Sequence, residues 1–397
     1  MRGGGDDDID SESDGYEYDL SSSDEEEFTD SDDGEEDDLV VNDEDEDEKA
    51  KEMELLYKQA ELSSQSRNFA IATALWSSLF FDSILNKAKR NDLFPAVIQG
   101  AGVISPSVAL ASGFFIASCV AFLLWRDLEI RSETLGGEDS QKGDWFLSLS
   151  AISNNNGEED VEVEKFESET RQRLLVHLSL FGILNLGAHA GLFFTDQAPF
   201  LGMSAAIINV HNTLACLSAL VKEKGLSELI RQAVSWPISL FKSGGAAKKK
   251  EGVISYLFRL SAVAAWMRCI PVCKSLFVLA TGAAAGGTIN IVDKARELSL
   301  TVAYLARLTL TAGVAKTLYA ASASSIDSIR NHPFFATLSG MLSLICFGVG
   351  GTMLYSSLIL NVSVDQAFFR ESTLLVVFAL VAGYNSVTSF IARKGAA

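Results

Sequence analysis

Apolar residues come in blocks along this chain. Stretches of mostly apolar residues cover 69–85, 101–125, 174–194, 200–221, 253–292, 298–321, 334–360 and 373–391, with polar sequence between them. Roughly 20 residues at 1.5 Å each cross a hydrocarbon layer about 30 Å thick. The pattern therefore predicts an all-α polytopic integral membrane helical bundle of about eight spans, since helices satisfy their own backbone in lipid. The first block is the weakest, because Asp82 and the KAKR run at 87–90 close it; a helix lying at the interface would read the same way. In the second, Pro106 stands in the first turns and Trp125–Arg126 anchors the far end. Its Ala109, Gly113 and Ala117 form a ridge of small residues that permits close helix contact. Pro271 interrupts 253–292, which is counted as one broken span. Gly348, Gly350 and Gly351 fall near the middle of the seventh block.

The polar intervals complete the organisation. Residues 1–50 are low-complexity Asp, Glu, Ser and Gly, a composition that cannot offset ordering entropy and predicts a disordered acidic tail. A helix of good formers over 46–62 leads into spans one and two, so 51–125 forms one unit. Residues 126–172 read as a polar acidic loop and the best internal boundary. The central hairpin occupies 173–221, its arms joined by TDQAP at 195–199. Residues 222–251 form a basic loop in which GLSELIRQAVSWPISLF reads as an interfacial amphipathic helix, followed by Lys248, Lys249 and Lys250. Residues 252–397 make a four-span bundle.

Charge changes the picture once it is divided. The net charge of −20 is misleading: residues 1–50 hold 25 acidic against two basic side chains, and the rest 27 against 30. The body is slightly basic. Lys and Arg are concentrated in the tail-side loops, which predicts both termini on the cytoplasmic or stromal side of an endomembrane or plastid membrane. Nothing in the chain suggests nucleic-acid binding. The five cysteines all lie in apolar stretches, which predicts buried free thiols and no extracellular disulfide framework.

Candidate chemistry lies at membrane depth. Asn185 and Asn209 are each twelve residues from Gln197, so both sit about 18 Å from the hairpin turn. Asn185 shares a face with His189, and Asn209 shares one with Asn212, so the two faces are expected to meet. Such groups fix interhelical packing or line a substrate pocket. His177 and His332 stand at the same side, a pairing that leaves haem or chlorophyll ligation open although no cofactor is expected. The sequence shows neither the catalytic motifs of hydrolases and nucleotide enzymes nor metal-ligand spacing, so no catalytic or metal residue is assigned. Arg268 and Arg307 are the intramembrane basic residues hardest to explain by snorkelling to an interface. Three readings follow: a carrier of a small or anionic solute, a structural organiser that recruits protein partners through its tail, and a pigment- or haem-binding component. Membrane lipids surround all three.

Overall fold

The computed structural model describes residues 43–85, 106–135, 149, 159–193, 199–224, 252–282, 291–358 and 366–396. The tail up to residue 42 and the surface helix expected within 225–251 lie outside the described residues. Two units divide the chain, Met1–Lys49 and Ala50–Ala397, and helix packing is a property of the second. Nine helices are described: α1 (Asp43–Leu85), α2 (Pro106–Leu135), α3 (Glu159–Phe193), α4 (Pro199–Lys224), α5 (Val253–Gly282), α6 (Ile291–Ser322), α7 (Asp327–Arg330), α8 (Pro333–Leu358) and α9 (Gln366–Ala396). Among the described residues there is no strand.

Seven helical segments are long and apolar enough to cross a membrane: α2, α3, α4, α5, α6, α8 together with α7, and α9. The protein is a multi-pass membrane helix bundle. The remaining block, 69–85, is the C-terminal half of α1 and continues without interruption from the polar helix before it. Its buried residues, Phe69, Ala72, Trp76, Leu79 and Ser83, recur every three or four positions and form one stripe, while Ile71, Phe81 and Leu85 are exposed.

Two expectations need correction. The 126–172 interval is not loop throughout: α2 runs to Leu135 and α3 starts at Glu159, and the heptapeptides flanking 136–158, EIRSETL and EDVEVEK, are rich in helix-forming Glu. Pro271 does not break its span, since α5 is continuous through it. Proline removes one amide donor, and the surrounding turns absorb the loss. The glycines of α8 do not interrupt it either, and a Cβ at Gly348 or Gly351 would meet nothing within 4 Å.

Helix directions follow from paired contacts. Gln59 and Glu61 of α1 meet Ser132 of α2 and Lys222 of α4, at one end of the bundle. Farther along, Trp76 meets Asn209 of α4, and Phe80 lies 5.0 Å from Phe115 of α2 between ring centroids. So α1 runs antiparallel to α2 and α4. Gly191 of α3 faces Ser299 of α6 and Gly313 of α6 faces His177, so these two also run in opposite senses. Cys269 and Val272 of α5 pack with Tyr304 and Leu308 of α6, while Ala262 and Ala265 pack with Ala312 and Ala315. Phe335 at the start of α8 stacks on Phe166 at the start of α3. In the α8–α9 hairpin, Gly340 faces Ser386 and Gly383 faces Ser343, and the Ser339 and Ser343 hydroxyls donate to the carbonyls of Ala382 and Ala379 at 2.7 and 2.6 Å. Small residues bring these backbones close, and serine hydroxyls then find carbonyls in place of water. Successive long helices alternate in direction from α1 to α9.

Candidate functional site

The hairpin asparagines are buried, but their faces do not bond each other. Asn185 Nδ2 donates to its own helix at Phe181 O, 2.9 Å away, and His189 Nδ1 donates to Asn185 O at 2.8 Å. Asn209 Nδ2 likewise turns back to Ala205 O at 2.8 Å, while its Oδ1 accepts from Trp76 Nε1 at 3.3 Å. Asn212 Nδ2 reaches Ala72 O at 3.5 Å, and its Oδ1 accepts from His211 Nδ1 at 3.1 Å. The α4 pair thus faces α1, a helix the hairpin reading did not include. The two polar faces are joined through aromatic rings: Trp76 to Phe181 at 5.9 Å, Phe181 to Phe114 at 5.8 Å, and Phe114 to His189 at 6.0 Å between centroids. Gly182 is pressed against Thr213, which closes the gap between α3 and α4. This cluster is four helices' worth of interlocked packing, in which the Asn185 and Asn209 amides satisfy their own helices and Asn212 reaches across to α1.

The histidines divide by proton position. His177 is buried with its ring against Gly313, where any side chain would overlap the imidazole, and its Nδ1 donates to Arg173 O at 2.6 Å. His332 is buried too, and its Nδ1 accepts the Phe334 amide at 3.3 Å. That bond leaves the His332 proton on Nε2, the tautomer opposite to the one that offers Nε2 to a metal. Among the described residues no group of three His, Cys, Asp or Glu is arranged to hold a metal ion.

Sequence reasoning missed an ionic network at the Glu61 end of the bundle. Arg171 of α3 is 8% exposed and reaches three carboxylates: Asp127 of α2 at 3.4 Å, Glu167 on its own helix at 3.8 Å, and Glu223 of α4 at 3.5 Å. Arg131 of α2 shares Glu223 at 3.6 Å. Asp127 is fully buried and also accepts the Leu149 amide at 2.8 Å. A buried guanidinium with several acceptors keeps each charge partnered where water is scarce. One signal was available: Asp127, Arg131, Glu167 and Arg171 are charges at four-residue spacing on helix-prone sequence. Outside the spans, Lys58 at 2.6 Å holds the exposed Glu54 carboxyl below its ordinary value through a hydrogen bond and its charge.

Arg268 and Arg307 are brought to one depth. Arg268 lies 15 residues from the start of α5 and Arg307 15 residues from the end of α6, both at the same end of an antiparallel pair. Each is therefore about 22 Å from that end, near mid-membrane. Tyr304 lies between them in sequence and packing: it clusters with Cys269, the neighbour of Arg268, and the Arg307 Cζ stands 5.7 Å from its ring centroid. Arg307 is only 6% exposed, and its Nε and Nη1 have no hydrogen-bond partner among the described residues. Its stem lies against Gly113 of α2, the centre of the small-residue ridge. A cation–π contact offsets part of the cost of burying this charge but leaves the guanidinium fork open. No protein-family model, curated protein or solved structure matches this chain.

Proposed function

We propose that this protein is a membrane carrier for a small anion, bound at Arg307 near the middle of the bundle with Arg268 at the same level, and that it is not an enzyme. One observation supports this above all: the Arg307 side chain is buried at mid-depth, and among the described residues two of its nitrogens have no hydrogen-bond partner. An uncompensated guanidinium at that depth costs several kcal/mol or more, which favours an anionic ligand as the missing partner. Continuous helices α5 and α8 remove the broken-helix argument for a carrier, so the reading rests on the arginines. The Glu61 end, where α9 also ends, faces the cytoplasm or stroma in this proposal.

The test is anion uptake into proteoliposomes. Arg307→Gln is expected to lower nitrate or acetate uptake by about tenfold or more, the scale set by losing roughly 1.4 kcal/mol of binding. Arg268→Gln is expected to have a smaller effect in the same direction. If both variants fold and carry anions as well as the parent chain, the reading fails.

A further inference from the structure

A second group of donors stands apart from Arg307, where α3 meets α6 toward the Glu61 end. The two helices touch at His177 and Gly313 and run in opposite senses. One turn from that contact toward the Glu61 end, α3 presents Arg173 and α6 presents Lys316. Thr170 follows Arg173 by a further turn on the same face of α3, since 170, 173 and 177 are spaced three and four apart. Arg171 turns to another side of the helix, toward Asp127 of α2 and Glu223 of α4. Two groups on the α6-facing side lack partners. The Thr170 hydroxyl is fully buried and has no hydrogen-bond partner among the described residues, whereas those of Thr301, Thr311 and Thr317 each donate to the carbonyl four residues back. Arg173 Nη1 is likewise buried with no hydrogen-bond partner among the described residues. Adjacent donors left this way, one of them charged, are costly where water is scarce.

We propose that Thr170, Arg173 and Lys316 hold the phosphate of an anionic phospholipid between α3 and α6 at the Glu61 end. The level is that of headgroups. Arg171, two residues from Arg173, reaches Glu223 of α4 next to the place where Lys222 pairs with Glu61, and α6 ends about 9 Å beyond Lys316. Arg173 and Lys316 are each partly exposed, so both keep a side toward the surroundings. Phosphate oxygens accept from all three donor types, and the guanidinium fork engages two of them at once. The Lys316 ammonium has three donors, enough to share one with a ligand. Glu169 flanks Arg173 one turn back, so a bound anion needs the second cation and the hydroxyl as well. Two cations also select a headgroup of net negative charge, because they repel the ammonium of a zwitterionic one. The site shares no residue with the anion site proposed at Arg307 and stands whether or not the carrier reading does.

Native mass spectrometry of the full chain released from nanodiscs tests this, with phosphatidylglycerol and phosphatidylcholine of the same acyl chains supplied in equal amounts. Phosphatidylglycerol is expected to be retained at least about fivefold better, the factor that one basic residue near a membrane surface contributes. Arg173→Gln and Lys316→Gln are each expected to remove about that factor. Thr170→Val keeps the shape of the side chain and is expected to lower retention by about twofold or more, the scale of one hydrogen bond; it serves if Arg173→Gln does not fold. Lys58→Gln removes an exposed charge at the same end and is expected to leave retention within about twofold. Equal retention of the two lipids would overturn the proposal. So would a preference that no substitution at the site moves, or one that Lys58→Gln lowers as much as Arg173→Gln. A second measurement supplies inorganic phosphate in place of lipid. Phosphate binding that is lost in Arg173→Gln, together with no preference for phosphatidylglycerol, would make this a site for the free anion and overturn the lipid assignment.

Discussion

At the scale of single residues, the buried charges are of two kinds. Arg171 is surrounded by acceptors; Arg307 is not. Replacing Arg171 by Met strands Asp127 and Glu167 in a place where they cannot rehydrate, and is expected to destabilise the protein by about 3–5 kcal/mol. Asp127→Asn should cost less, because its Oδ1 still accepts the Leu149 amide; unfolding midpoints in detergent would check the order. Gly313 makes a steric prediction. Gly313→Val drives a branched side chain into the His177 ring and is expected to cost about 1–3 kcal/mol, much of it recovered in the His177→Ala background, which a double-mutant cycle measures. The candidate residues themselves were legible in the sequence, because polar side chains stand out in apolar blocks. What they touch was not. Asn209 and Asn212 were expected to face Asn185, yet their partners Trp76 and Ala72 are more than 130 residues away, beyond the reach of any local period. His177 drew attention as a ligand, and its neighbour Gly313 carried no sign of the contact.

At the scale of elements, hydropathy gave the long helices well and their ends poorly. The start of α4 at Pro199 and that of α2 at Pro106 are where proline suits a first turn. The polar ends of α2 and α3 were read as loop because charge was taken for exposure, and the partners that bury Asp127 and Arg171 come from other helices. Pro271 was read as a break because proline stops helices in water; in a bundle the helix continues. The stripe on α1 makes that helix integral to the bundle. Trp76→Phe keeps the ring contact with Phe181 and leaves Asn209 Oδ1 without its donor. It is expected to cost about 1–3 kcal/mol and to loosen α1 first, seen as faster proteolysis within residues 50–68 while the other helices stay protected.

At the scale of the whole molecule, the alternation of direction from α1 to α9 puts Gln59 and Glu61 of α1 and the end of α9 at one end of the bundle. Cysteine labelling tests it. In a background with the native cysteines replaced, Tyr57→Cys and Asp327→Cys, both at exposed positions, are expected to react with a membrane-impermeant maleimide from the same side. Labelling from opposite sides would mean that α1 lies along the interface and does not cross with the others. The α1–α4 contact has a further consequence, in time. Trp76 is synthesised 133 residues before Asn209. At about 5–20 residues per second, α1 waits on the order of ten seconds before its polar partner is made. During that interval its indole and serine hydroxyls face lipid, the insertion machinery or a chaperone. Biogenesis of this protein is therefore most exposed to failure between the emergence of α1 and that of α4, and slowing translation across α2 and α3 should lower its yield.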